Sequence, residues 1–204
     1  AVALAQGLKG RAVPIRLGAL DASPDQVSLL NAAVDALSSM GPLAAPAVIE
    51  VLSSGVLDAN GRKFALEVLG SAPRALSVVI QSLDDPDPNV QAAAAEAIGR
   101  MGGDEAIPAL LRVLARGDRL LQLTAMHGLE RLEAQVPFEL LLPRLQDRML
   151  WGPTLALLGR CGDVRAGAPL LAALDDRSRT LADTALLALA RLCLDVGTAA
   201  LEGL

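Results

Sequence analysis

The stretch DDPDPNVQAAAAEAIGRMGGDEAIPALLRVLARG, Asp84 to Gly117, reads as one complete structural unit. An acidic turn opens it, and Asp87-Pro88-Asn89 places a capping carboxylate ahead of a proline at the first helical position. A first apolar helix follows and closes on Gly102, a residue suited to the left-handed conformation that ends a helix. In the second helix Ile107, Leu110, Leu111 and Leu114 fall at i, i+3, i+4 and i+7, one stripe of an amphipathic helix.

The unit recurs along the chain. Matching Leu114 as an anchor finds Leu20, Leu52, Leu83, Leu145 and Leu174, at intervals of 32, 31, 31, 31 and 29 residues along the series. A proline precedes the anchor by six residues at Pro14, Pro46 and Pro108, and by five at Pro169. Pro fits there because a first-turn residue has no intrahelical bond for its missing N–H to break. The first helices repeat equally well. Leu4, Leu37, Leu69, Ile98, Leu129, Leu158 and Leu189 share one register, and Gly41, Gly102 and Gly162 stand four residues after three of them. Ser23-Pro24-Asp25-Gln26 reads as a further capping box. Two such helices cannot bury both apolar faces alone, so neighbouring units must stack. The expectation is an all-α chain, an α-solenoid of about six stacked two-helix repeats of about 31 residues. Residues 1–204 then form a single array with units near 1–22, 23–55, 56–86, 87–117, 118–148, 149–176 and 177–204.

Composition agrees with this reading. Apolar residues make up 52% of the chain, yet Phe64, Phe138 and Trp151 are its only aromatics, so the core is built from Leu, Ala, Val and Ile. Strands usually draw on more β-branched and aromatic residues. The net charge of −5 offers no basic footprint for nucleic acid. Two cysteines, Cys161 and Cys193, are too few for a disulfide scaffold. No apolar run reaches the length of about 18 residues that a membrane span needs. A cytoplasmic location is the expectation.

The units resemble HEAT-like repeats of the short bacterial kind first associated with phycobilisome lyases, a resemblance carried by LDDPDPNVQAAAAEAIGRMGGDEAIPALLRVL at Leu83 to Leu114. The resemblance implies a scaffold or partner-binding module, with enzymes a minority of such proteins. It also implies an arginine after the valine of each first helix. This chain has Gln91, Gln122 and Trp151 at the matched positions and Arg62 at a fourth. The opening Leu4 sits where a first helix should end, and a seventh second-helix anchor would fall one residue past Leu204, so the chain is expected to be a segment of a longer protein.

Binding is expected on the second-helix face that points away from the core, which in this resemblance lines the concave side. Two residues before the anchor stand Glu50, Gln81 and Arg112, and two after it Arg116 and Asp147. Five before it runs an apolar row that includes Val78 and Leu140. An apolar row beside a polar one suits a helix or an extended peptide from another protein. Arg112 and Arg116, one turn apart, suit a carboxylate or phosphate on that partner, or pairing within the array. Trp151 is placed near a unit junction, as a plug of the seam or a binding hot spot. Pro137 and Pro143 predict that the helix around Leu140 kinks or starts late.

No catalytic constellation emerges. His127 is the sole histidine, no cysteine pair has metal-ligand spacing, and Gly102-Gly103 is not followed by the Lys and Ser or Thr of a phosphate loop. Asp84-Asp85 and Asp175-Asp176 sit at unit boundaries, where capping accounts for them. No cofactor or metal is expected. The sequence therefore favours a non-catalytic protein-binding scaffold. A bilin lyase, or other chromophore-handling subunit, follows only from the resemblance, and a nucleic-acid-binding solenoid is disfavoured by the acidic charge.

Overall fold

The computed structural model describes Ala36, Leu37, Ser39, Met40 and residues 43–197. Expectations that fall on Leu4, Leu20, Pro14, Gly41 and Ser23 to Gln26 lie outside these residues. Among the described residues there are ten α-helices and no strand: α1 (Ala45–Ser53), α2 (Ala59–Leu69), α3 (Leu76–Gln81), α4 (Pro88–Met101), α5 (Ala106–Arg116), α6 (Arg119–Arg131), α7 (Phe138–Leu141), α8 (Trp151–Leu158), α9 (Gly167–Ala173) and α10 (Arg179–Val196). The all-α repeat reading holds. Helices α2, α4, α6, α8 and α10 are the expected first helices; α1, α3, α5, α7 and α9 are the second.

The chain divides into two compact units, Ala1–Ala106 and Ile107–Leu204. In the first, α2 stacks on α4, α1 packs on α2 and α3 on α4. In the second, α6 stacks on α8 and α8 on α10, with α9 against α10. First helices thus stack on first helices within each unit, the layering of an α-solenoid. The anchors explain why. Leu69, Ile98, Leu129 and Leu158 are all fully buried, as are the second-helix anchors Leu83 and Leu114. Each buried leucine of this kind contributes about 1.5–3 kcal/mol.

The punctuation works as its chemistry demands. Asp87 caps α4 by accepting from the Asn89 and Val90 amides, with Pro88 at the first helical position. Asp58 and Asp118 cap α2 and α6 in the same way, through the Gly61 and Leu121 amides. Gly102 and Gly162 both adopt positive φ, 66° and 68°. The matched residue after α6 is not glycine but Glu133, and it too has a positive φ, 54°. There the Ala134 amide donates to the Leu129 carbonyl at 2.9 Å, closing the helix end. A left-handed backbone costs a non-glycine residue roughly 1–2 kcal/mol. Gly162→Ala is therefore expected to lose about 1 kcal/mol and Glu133→Gly to change stability in the opposite direction. Urea denaturation of the two variants checks the pair.

The second helices are less regular. The α3 helix is flanked by 3-10 turns at Pro73–Ala75 and Ser82–Asp84. The α7 helix lasts only from Phe138 to Leu141 and then tightens into a 3-10 turn over Leu142–Gln146. Pro143 is the cause, because it has no N–H to donate to Glu139 four residues earlier. The irregularity expected at the two prolines is thus present, as a change of helix type and not a late start. The Leu140 carbonyl is recovered by the Arg144 Nη1, which donates to it at 2.8 Å.

Candidate functional site

At one register of the first helices, seven residues before the anchor, stand Arg62, Gln91, Gln122 and Trp151. All four use a side-chain N–H to hold a carbonyl of the preceding turn. Arg62 Nη1 donates to the Leu57 carbonyl at 3.0 Å, and Gln91 Nε2 to that of Asp85 at 2.6 Å. Gln122 Nε2 donates to the Gly117 carbonyl and Trp151 Nε1 to the Leu145 carbonyl, both at 2.6 Å. Such turn carbonyls have no intrahelical partner, so a donor at this register fixes how the chain enters each helix. The resemblance implied arginine here; the chemistry needs only a long side chain with an N–H.

Arginine has a second task, met by Arg62 at this register and by arginines one helical turn earlier in two later repeats. Arg62 binds the Asp85 carboxylate through two nitrogens, at 2.7 and 2.9 Å. Arg119, three residues before Gln122, pairs with Asp147 at 2.6 Å. Arg148, three residues before Trp151, pairs with Asp176 at 2.8 Å. The three aspartates also cap their own turns. Asp85 accepts from the Asp87 amide, Asp147 from the Met149 amide and Asp176 from the Ser178 amide, at 2.9, 3.0 and 2.8 Å. Asp85 and Asp147 each join a turn to the first helix of the repeat before it, and Asp176 joins its turn to the 3-10 turn Arg148–Leu150 that leads into α8. Capping thus explains Asp85 and Asp176 as the sequence implied, and Asp147 shares their role.

The acid response follows from these pairs. Burial alone would push the Asp85 carboxyl up, but the Arg62 hydrogen bonds, the Asp87 amide and the guanidinium charge outweigh it and hold it below the usual carboxylate range. The Ser178 amide and then Arg148 hold Asp176 low as well. A depressed carboxyl binds fewer protons folded than unfolded, so its stabilisation is full above the unfolded value of about 4 and is lost as pH falls through the folded one. Asp85→Asn/Asp176→Asn should be less stable at neutral pH and lose less stability below pH of about 4, which urea midpoints across a pH series would show.

The residues expected to bind a partner divide between the two compact units. In the first, Glu50 and Gln81 are exposed and Val78 is half-buried. Val78 and Gln81 line a cleft of about 200 Å³ with Leu52, Ser53, Asp84 and the Arg62–Asp85 pair. In the second, Arg112 and Arg116 are exposed on α5, Leu140 is half-buried on α7, and Asp147 is the turn aspartate already described. Trp151 is half-buried, with the Arg148 guanidinium 4.7 Å from its ring centroid. In the apolar row five residues before the anchors, Ala47, Val78, Leu140 and Pro169 are half-buried and only Ala109 is buried.

Arg144 was not visible as a special residue from sequence. It is 9% exposed, and its Nη2 donates to the Leu114 carbonyl in the last turn of α5. A cation at that end complements the helix dipole. Its Nε has no hydrogen-bond partner, and burial lowers the guanidinium from its ordinary value. Cys161 and Cys193 are free, half-buried thiols, and burial raises that of Cys161. His127 is exposed on α6. Among the described residues no group of three or more His, Cys, Asp or Glu is placed to hold a metal ion, and no helix is long and apolar enough to cross a membrane.

The fold and its turn-to-helix links define a class, the all-α proteins built from stacked two-helix repeats. A model of HEAT repeats matches residues 57–130 of the chain, a span that holds α2 to α5 and most of α6. Among solved structures, the crystal structure of an engineered protein from the Northeast Structural Genomics Consortium is similar, with a TM-score of 0.54 and 19% sequence identity over 82% of this chain and 84% of that one. That likeness is one of fold. No curated protein matches the sequence.

Proposed function

We propose that this chain is a non-catalytic scaffold that binds another protein through the outward face of its second helices. The observation that carries the reading is the half-open apolar row. Val78 and Leu140 remain partly accessible, Val78 on a helix whose anchor Leu83 is sealed. Exposed polar residues flank them at Glu50, Gln81, Arg112 and Arg116. The match to HEAT repeats supports it, since such repeats commonly mediate protein–protein interaction. A bacterial origin, a cytoplasmic location and a single array across 1–204 belong to the same proposal. The occupant is a helix or extended peptide, which such surfaces receive through apolar anchors with polar contacts at the rim.

The test uses two variants, Val78→Asp/Gln81→Ala and Arg112→Glu/Arg116→Glu, each compared with the parent at equal helicity. A partner captured from the native cell extract would be purified and titrated by calorimetry. The expected result is a weakening of at least about tenfold by one or both variants, the scale of a hot-spot loss. A partner bound equally by all three proteins would exclude this face, and a bound pigment in place of a protein would return the chromophore-handling reading.

A further inference from the structure

One place in the repeat is filled by the chain in the second unit and left open in the first. Arg144 stands one residue before its anchor Leu145, and its guanidinium reaches back to the previous anchor. Its Nη2 donates to the Leu114 carbonyl, and its Nη1 to that of Leu140, five residues before Leu145. In the first unit the three matching residues are Ser82, Leu52 and Val78, with the anchors Leu52 and Leu83 again 31 residues apart. The Ser82 hydroxyl donates to the Val78 carbonyl at 3.4 Å, but a serine cannot fill the space that a guanidinium fills. What stands there is the cleft of about 200 Å³, whose lining includes Leu52, Val78 and Ser82.

Its surroundings suit a cation. Leu52 and Ser53 end α1, and Gln81 ends α3. The carbonyls of a last helical turn have no intrahelical partner, and the negative end of the helix dipole lies there. Neither helix has a basic residue in its last turn, whereas α4, α5 and α6 carry Arg100, Arg116 and Arg131 in theirs. Arg62 is already committed, through Nε and Nη2 to Asp85 and through Nη1 to the Leu57 carbonyl. Charge divides in the same sense. Residues 1–106 carry 7 Lys and Arg against 12 Asp and Glu, and residues 107–204 carry 11 of each, so the formal charge of −5 belongs to the first unit. Small-molecule sites run to about 300–1,000 Å³, so this smaller cleft has room for one long side chain. On the scaffold reading above, we infer that the cleft receives an arginine side chain of the protein partner. Its stem lies on Leu52 and Val78, and its guanidinium meets the carbonyls of those two residues as Arg144 meets Leu114 and Leu140.

Butylguanidinium, the arginine side chain alone, is the probe, titrated into the isotope-labelled 204-residue chain and followed by amide chemical shifts. Saturable shifts at Ser53, Val78 and Gln81 are expected, with dissociation in roughly the millimolar range that suits so small a ligand. Butylammonium, which has the charge without the planar fork, and the neutral valeramide should each bind at least about fivefold more weakly. Ser82→Arg should abolish binding, because the chain's own arginine then takes the cleft. Gln81→Lys, at an exposed position, should weaken it about tenfold by repulsion. Glu67→Lys, a larger charge change at an exposed site outside the cleft lining, should leave it within about twofold. Absence of saturation at these amides, an equal response to butylammonium or valeramide, or binding that survives Ser82→Arg and Gln81→Lys would overturn the arginine cleft. If the probe fails while the captured partner is still weakened by the variants of the calorimetry above, the scaffold stands without its arginine. If the probe binds while the partner ignores those variants, the scaffold reading falls and takes the partner's arginine with it.

Discussion

Gly159→Ala should destabilise the second compact unit, although the backbone of Gly159 is helical and alanine would ordinarily be welcome there. Gly159 caps α8 at φ −64°. A Cβ built on it would lie 2.6 Å from the Cα of Ala188, 2.7 Å from its carbonyl oxygen and 2.8 Å from its Cβ. These are atoms of α10, two of them backbone, so no rotamer change relieves the contact and the helices must separate. Overpacking of this kind costs about 1–3 kcal/mol, against about 0.4–1 kcal/mol returned by a stiffer unfolded chain, leaving a net loss of roughly 1–2 kcal/mol. Valine should cost more. Gly70 gives the contrast. Its added Cβ would come within 2.5 Å of Arg100 Nη2, but that is the far end of a flexible side chain, held only by a surface pair with Glu96 and a long bond to the Glu67 carbonyl, and it can shift. Gly70→Ala is expected to stay within about 0.5 kcal/mol of the parent. Denaturant midpoints for both variants, with amide exchange along α10, decide the matter. A Gly159→Ala protein as stable as the parent would mean that α8 and α10 do not meet this closely.

The repeat register was legible because it is written in apolar side chains whose burial is its own cause. Leu69, Ile98, Leu129 and Leu158 recur where stacking needs them, and Asp87-Pro88 can hardly do anything but begin a helix. Helix ends were legible only where glycine marks them. Glu133 adopts a positive φ like Gly102 and Gly162, beside the Ala134 to Leu129 hydrogen bond, and no local sequence signal announces it. An irregularity near Leu140 was readable from Pro137 and Pro143, though not its form, an early end of α7 in a 3-10 turn, and the 3-10 turns that bracket α3 depend on packing that no proline count reveals.

The candidate site was legible in part. Exposure of Glu50, Gln81, Arg112 and Arg116 follows from the helical wheel, since these positions lie opposite the buried stripe. Asp147 lies on the same side of that wheel, yet the chain leaves helical geometry before reaching it, and the carboxylate turns to cap the Met149 amide and meet Arg119. A wheel assumes that the helix continues. The donor register was hidden for a different reason: arginine, glutamine and tryptophan share no charge or size, only an N–H at a similar reach. Arg144 escaped notice because its burial is set by the last turn of α5, 30 residues away in sequence.

Leu129→Ala should carry the largest cost of any conservative truncation considered so far, and Leu189→Ala at the matching register a much smaller one. Leu129 is completely buried on α6, whose outer neighbour is α8. Removing three carbons there forfeits both transfer free energy and the contacts lining the cavity, about 2–5 kcal/mol in total. Leu189, on α10, is only half-buried, so its truncation loses a part of the transfer free energy and leaves no closed cavity, roughly 1 kcal/mol. The two losses should also spread differently. In a stacked array each repeat is stabilised by its neighbours, so a defect at Leu129 loosens α8 along with α6, while one at Leu189 frays α10 alone. Urea unfolding gives the totals, and native-state amide exchange gives the spread. Equal losses at the two leucines would show that register, and not burial, sets the contribution of an anchor, and would undo the physical reading of the repeat.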